Sequence, residues 1–300
     1  MKMIGSMLPV HPQANRSMGA ILMDSGRLSV DDAERILLLQ REEGLRFGEA
    51  ALRLGLLTEA DIQSVLARQF SYPYLRPNIE KKPVSDEVVA AYQPFSPVVD
   101  QLRGVRSQLM MRWVDKLEQR QVLAVVGTQR GEGRSYLAAN LAVVFSQLGE
   151  RTLLIDGDMR TPRQHELFML QNKIGLSTYL AGRSRDEAII RITDLNGLFV
   201  LPSGPIPPNP TELLSRSTLN DLLIHVRASF DVVIIDTPDM ATGDDAALIA
   251  MRAGAALVIA RSKNTRVAAF TDLVHGLTNA GVAVVGSVLN DVPVRKKAAK

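Results

Sequence analysis

Not one of the 300 residues is cysteine. That excludes disulfide staples, thiol catalysis and cysteine-ligated metal, and it suits a reducing cytoplasm. No apolar run approaches the roughly 18 residues that a membrane-spanning helix needs. The first residues also lack the continuous apolar stretch of a secretion signal. The expectation is a cytoplasmic protein that reaches the inner face of a membrane only through a partner. An excess of one sign of charge is small as well: the formal net charge is +3, which gives little reason to expect a nucleic-acid partner. What remains is an ordinary globular composition, 46% hydrophobic and 22% charged, with length for one large domain or two modest ones.

The chain divides by pattern. Residues 1–15 have no periodicity and are expected to be disordered. Two 24-residue segments, Ser17–Gln40 and Arg46–Gln69, start 29 residues apart and align Gly19 with Gly48, Leu22 with Ala51, Gly26 with Gly55, Leu28 with Leu57, Ile36 with Val65 and Gln40 with Gln69. Each reads as a helix, a glycine turn and a second helix capped by Ser29 or Thr58. Residues 16–75 are therefore expected to form a small all-α pseudo-repeat domain, with Ile21, Leu22, Leu37, Leu52 and Leu66 in its core. Pro73, Pro77, Pro83, Pro94 and Pro97 then crowd a short stretch, so residues 76–94 read as a proline-rich linker.

From Phe95 a helical pattern leads into alternating apolar strands and helices. The strand candidates are Val122–Val126, Thr152–Ile155, Leu198–Leu201, Val232–Ile235, Ala256–Ala260 and Ala283–Leu289. Continuous apolar strands separated by helices imply an α/β fold with a mostly parallel sheet covered on both faces. This domain is expected to end at residue 290, leaving 291–300 as a basic tail.

Chemistry gathers at the carboxyl ends of three strands, where such sheets bind ligands. After the first comes Thr128-Gln129-Arg130-Gly131-Glu132-Gly133-Arg134-Ser135-Tyr136, a variant of the phosphate-binding pattern G-x-x-x-x-G-K-[ST]. Thr128 replaces the first glycine and Arg134 the lysine. Gly131 and Gly133 let the backbone close on phosphate oxygens, and a helix starting near Ser135 adds its positive dipole end. Arginine keeps the charge but is planar and bulkier, so the exchange is not conservative in a tight cradle. The second strand ends in Asp156 and Asp158, the third in Asp236. Ser135, Asp158 and Asp236 suit Mg2+, directly or through water, and Asp156 suits the proton of a nucleophile. Arg134 and Asp158 complete the catalytic set. A lone strand-end aspartate is commonly just a turn former; it is the three motifs in order that point to phosphoryl transfer from ATP.

On these residues the segment from Phe95 to Asn290 resembles the bacterial tyrosine kinases, a branch of the MinD/ParA-type P-loop NTPases. The DGDMRTP form of the acidic motif, GPIPPNPTELL at Gly204–Leu214 and GSVLN at Gly286–Asn290 share in the likeness. The EGRS loop and the sequence after it resemble the EpsG subgroup, chain-length-determinant kinases of exopolysaccharide export. The resemblance implies an adenine contact at Asn290. It also implies assembly into a dimer or ring through Asp100, Arg103 and Arg106, and a membrane chain-length-determinant partner. Such kinases end in a tyrosine cluster, whereas the tyrosines here are Tyr72, Tyr74, Tyr92, Tyr136 and Tyr179. Tyrosine transfer would then use Tyr72, Tyr74, Tyr92 or another protein. Two alternatives stay open: a non-enzymatic ATP-dependent assembly switch of the same export machinery, and a spatial-regulation ATPase of the MinD/ParA type, against which Gln129 stands where those proteins carry a signature lysine. The repeat domain resembles the N-terminal domain of MshE-type secretion ATPases. That likeness implies cyclic di-GMP as an effector, held by Arg16, Gly19, Arg46, Phe47, Gly48 and Gln69; a helical docking module without ligand is the other reading.

Overall fold

The computed structural model describes residues 17–59, 61, 62, 65, 74, 75, 82–114 and 121–291. The chain separates into two compact units, residues 1–76 and 77–300. Among the described residues no helix is long and apolar enough to cross a membrane.

In the first unit the helices α1 (Met18–Asp24), α2 (Val30–Glu43) and α3 (Phe47–Arg53) are followed by a helical stretch after Thr58. The caps are those the sequence signals: Ser17 Oγ accepts from Ala20 N–H, Ser29 Oγ from Asp32 N–H and Thr58 Oγ1 from Asp61 N–H, satisfying otherwise orphaned amides. The repeat is visible in the packing. Leu22 and Ala51, Leu28 and Leu57, and Ile36 and Val65 all enter one buried cluster. Gly26 and Gly55 both turn the chain at positive φ, 69° and 66°. Leu37 and Leu52 depart from expectation: they are 43% and 37% exposed. Leu37 follows the fully buried Ile36 and is swung about 100° around the helix from it. Leu66 lies outside the described residues.

The second unit carries a seven-stranded sheet: β1 (Gln121–Gly127), β2 (Thr152–Asp156), β3 (Ile190–Arg191), β4 (Leu198–Leu201), β5 (Val232–Asp236), β6 (Ala255–Arg261) and β7 (Ala283–Asn290), in the order β3-β4-β2-β5-β1-β6-β7. All six expected strands are present. The seventh, β3, is two residues long and antiparallel to β4, too short to leave a hydrophobic pattern. The interior strands are buried over most of their length because helices cover both faces.

The helix after β1, Arg134–Ser146, is buried on almost every side. One side meets β1, β2 and β5; the other meets the helices Val89–Tyr92 and Pro97–Leu109. Residues 84–92 are therefore no linker. Val84, Val88, Ala90, Ala91 and Tyr92 are buried, and the fully buried Asn140 clamps their backbone. Its Oδ1 accepts from Ala90 N–H at 2.9 Å, and its Nδ2 donates to Glu87 O at 3.0 Å. The prolines mark a crossing segment whose polar backbone groups are satisfied by side chains of the helix beneath it.

Candidate active site

The parallel register builds the site. β2 and β5 are adjacent, and Asp156 stands directly opposite Asp236 at their carboxyl ends. β1 lies on the other side of β5 with Val125 opposite Asp236, so the loop that follows β1 emerges beside both acids. There Gly131 and Gly133 take φ of 85° and 99°, in the left-handed region that glycine enters without steric strain. A side chain on Gly133 would also run into the Asn290 amide.

The two aspartates are fully buried. Burial raises the Asp156 pKa well above the usual carboxylate range, and the neighbouring Asp236 charge raises it further. Backbone N–H groups of Gln164 and Arg163 pull the other way. Asp236 is pushed up to about 6, again by burial first; Gln164, Ser135 and Arg134 favour its charged form and Asp158 disfavours it. Asp156 also organises the following loop, accepting from Asp158, Arg163 and Gln164 N–H groups at 3.2, 3.1 and 2.9 Å. Asp158 closes its own turn: Oδ1 accepts from the Arg160 and Thr161 amides, and Oδ2 from the Thr161 hydroxyl.

Within the loop, Arg134 is only 8% exposed. Its Nη1 donates to Gln129 O at 2.7 Å and its Nε to Thr237 O at 3.1 Å; the Glu132 carboxylate lies 3.8 Å from Nη1 and the Asp239 carboxylate 3.7 Å from Nη2. A lysine has one terminal ammonium and could not span these groups as a planar fork does. Glu132 is buried and accepts from Thr128 and Thr265 hydroxyls at 2.6 and 2.5 Å. Asn290 Nδ2 donates to Glu132 O at 2.8 Å, and Arg261 Nη1 to Gly131 O at 2.9 Å. The phosphate-type loop is thus strapped to the ends of β6 and β7. Arg130 is exposed, while Gln129 and Tyr136 are partly buried.

Elsewhere, Arg106 Nη1 donates to Val144 O at 2.7 Å, anchoring Pro97–Leu109 to the helix beside it, and Arg103 pairs with Asp100 at 2.9 Å. In the first unit Gly19 packs against Phe47 and Gly48 against Ile62, so close helix contact accounts for both glycines. The Arg46 backbone N–H donates to Glu49. Arg16 and Gln69 lie outside the described residues. Sequence reasoning missed Gln164, which is buried between the loop helix and Asp236; no motif spacing singles it out.

A glycine-rich loop after the central strand, with acids on the adjoining strand ends, defines a P-loop NTPase fold. The model of a family described as "AAA domain" matches residues 120–268. The chain is 35% identical to a putative tyrosine-protein kinase, CapB, of Staphylococcus aureus, covering 72% of this chain and 94% of that protein. It is 34% identical to the tyrosine-protein kinase YwqD of Bacillus subtilis, covering 70% and 87%. The kinase domain of Escherichia coli tyrosine kinase ETK superposes with a TM-score of 0.68 at 30% identity, over 75% of this chain and 88% of that one. The chain belongs to the bacterial tyrosine kinase family.

Proposed function

We propose that the protein transfers a phosphoryl group from Mg-ATP to tyrosine of another protein, within an EpsG-type exopolysaccharide export system. The observation that carries this reading is the in-register pair Asp156 and Asp236 beside the loop that ends in Ser135. Buried Asp236 Oδ1 has no hydrogen-bond partner among the described residues, which fits a carboxylate awaiting a cation. Ser135 and Asp236 would hold magnesium, with Asp158 behind them. Magnesium bound there neutralises phosphate charge. Backbone amides at Gly131 and Gly133 and the start of the helix orient the phosphates. Asp156, made more basic by burial and by Asp236, takes the proton of the incoming hydroxyl.

In this reading the acceptor belongs to another molecule; of the candidates in this chain Tyr74 is partly buried. Tyr92 is 6% exposed and its hydroxyl donates to Val84 O at 2.6 Å; Tyr179 is 9% exposed. Tyr72 lies outside the described residues. In this reading the protein works in the cytoplasm, at the inner membrane face, on a chain-length-determinant partner. It assembles with copies of itself through Asp100, Arg103 and Arg106, and the repeat unit reads cyclic di-GMP, a claim that calorimetry with that nucleotide tests. Incubation with labelled ATP and a tyrosine-containing polypeptide is expected to label tyrosine, and Asp156→Asn to abolish the label. Absence of label with the unmodified protein would reject kinase activity. One observation favours a second reading, an ATP-dependent assembly switch without transfer: Arg134 is already engaged by loop carbonyls. ATP-dependent assembly without labelled tyrosine would select it.

A further inference from the structure

Gln164 is fully buried eight residues beyond Asp156. Its side-chain Nε2 donates to Ser135 O at 3.1 Å and to Asp236 Oδ2 at 2.8 Å, while its backbone N–H donates to Asp156 Oδ2. One residue thus bonds to all three motifs. Chemistry fixes the orientation of the amide. Both side-chain partners are acceptors, so only the NH2 end can lie between them, and the carbonyl end must face elsewhere. That carbonyl, Oε1, is buried and has no donor among the described residues; the same is true of Asp236 Oδ1. The Ser135 side chain favours the charged carboxylate as a hydrogen-bond donor to it, yet Oδ1 has no partner in hydrogen-bond geometry among the described residues.

Two hydrogen-bonded side chains, each with one orphaned acceptor, therefore stand at the same strand end. Buried acceptors without donors are costly and call for a missing donor or cation. A hydrated magnesium ion supplies both, since it keeps several of its waters when bound. We propose that Gln164 is a positioning residue of the cation site: its NH2 fixes Asp236 by Oδ2, leaving Oδ1 for the cation, and its Oε1 accepts from cation-bound water. Ser135, held through its carbonyl, is kept in register with Asp236 by the same amide. The inference rests on the Mg-ATP reading above.

The test is metal affinity rather than turnover. Mn2+ binding to the full chain saturated with ADP is followed by electron paramagnetic resonance, and ADP binding in EDTA by calorimetry. In Gln164→Leu the Mn2+ affinity of the ADP complex is expected to fall about tenfold or more, the usual effect of removing an outer-shell partner. Metal-free ADP affinity is expected to stay within about twofold, and Gln164→Glu, which keeps an acceptor, to retain more Mn2+ affinity than Gln164→Leu. If Gln164→Leu is unfolded by circular dichroism, Gln164→Met carries the comparison. Unchanged Mn2+ affinity in a folded variant overturns the proposal, as does an equal loss of metal-free ADP binding, which would make Gln164 a prop of the loop. If the unmodified protein binds neither ADP nor Mn2+, the Mg-ATP reading itself fails.

Discussion

Replacing Asp236 with asparagine is expected to stabilise the ligand-free protein at alkaline pH. Asp236 is fully buried opposite Asp156, and its pKa is raised from 3.8 to about 6. Roughly two pKa units correspond to about 3 kcal/mol. The folded acid holds its proton more tightly than the unfolded one. Its contribution to stability is thus complete below pH 3.8 and is lost as the pH rises through about 6. Above that, the native state carries a constant penalty of about 3 kcal/mol. Asparagine stays neutral at every pH and keeps an acceptor for the Gln164 amide. Its NH2 then occupies the place of Oδ1, which has no partner, at a cost of about 1–2 kcal/mol. The net gain is about 1–2 kcal/mol at pH 8, or about 2–8 °C in Tm for a domain of this size. Calorimetric melting in EDTA between pH 5 and 8 measures it, and the gain should shrink on crossing pH 6. A variant less stable than the parent at pH 8, or one equally stabilised at pH 5 and pH 8, refutes the reasoning. Confirmation would mean that folding stability is given up to keep a charge where the site requires one.

Two further substitutions test the architecture. Asn140→Ala removes the clamp on residues 84–92 and leaves Ala90 N–H and Glu87 O without their bonds; urea unfolding should show a loss of about 2–3 kcal/mol, and a loss below 0.5 kcal/mol would mean that the segment is not held this way. Gly133→Ala places a Cβ against the Asn290 amide at a φ of 99°, so ADP affinity measured by calorimetry should fall at least about tenfold while β-branched or larger residues do no better; unchanged affinity would show that the loop adopts another conformation when it binds.

Much of this protein can be read in one dimension, and the physical reason is periodicity. The five interior strands of four or more residues are largely apolar runs, as burial on both faces requires; the edge strand β7 is apolar but interrupted by Gly286 and Ser287. The glycine loop and the strand-end acids stand out because φ > 0 and buried charge each tolerate few residue types. The repeat shows through Gly26 and Gly55, which occupy matching left-handed turns. Local pattern failed in three places. Residues 84–92 read as a linker because their partners lie some 50 positions away on the helix after β1. Leu37 and Leu52 read as core but face outward. β3 is too short to show any period.

The sequence by itself determined which elements form, their order and the residue types that handle phosphate. Only the tertiary structure decided how these meet. Register between β2 and β5 made neighbours of Asp156 and Asp236, 80 residues apart, and so added the Asp236 charge to the burial that already raises the Asp156 pKa. Folding of the acidic loop brought Gln164 onto Ser135 and Asp236, and Arg134 onto the carbonyls of Gln129 and Thr237. Burial, charge coupling and unpaired acceptors arise from proximity in space, and chain order does not encode proximity until the sheet sets its register.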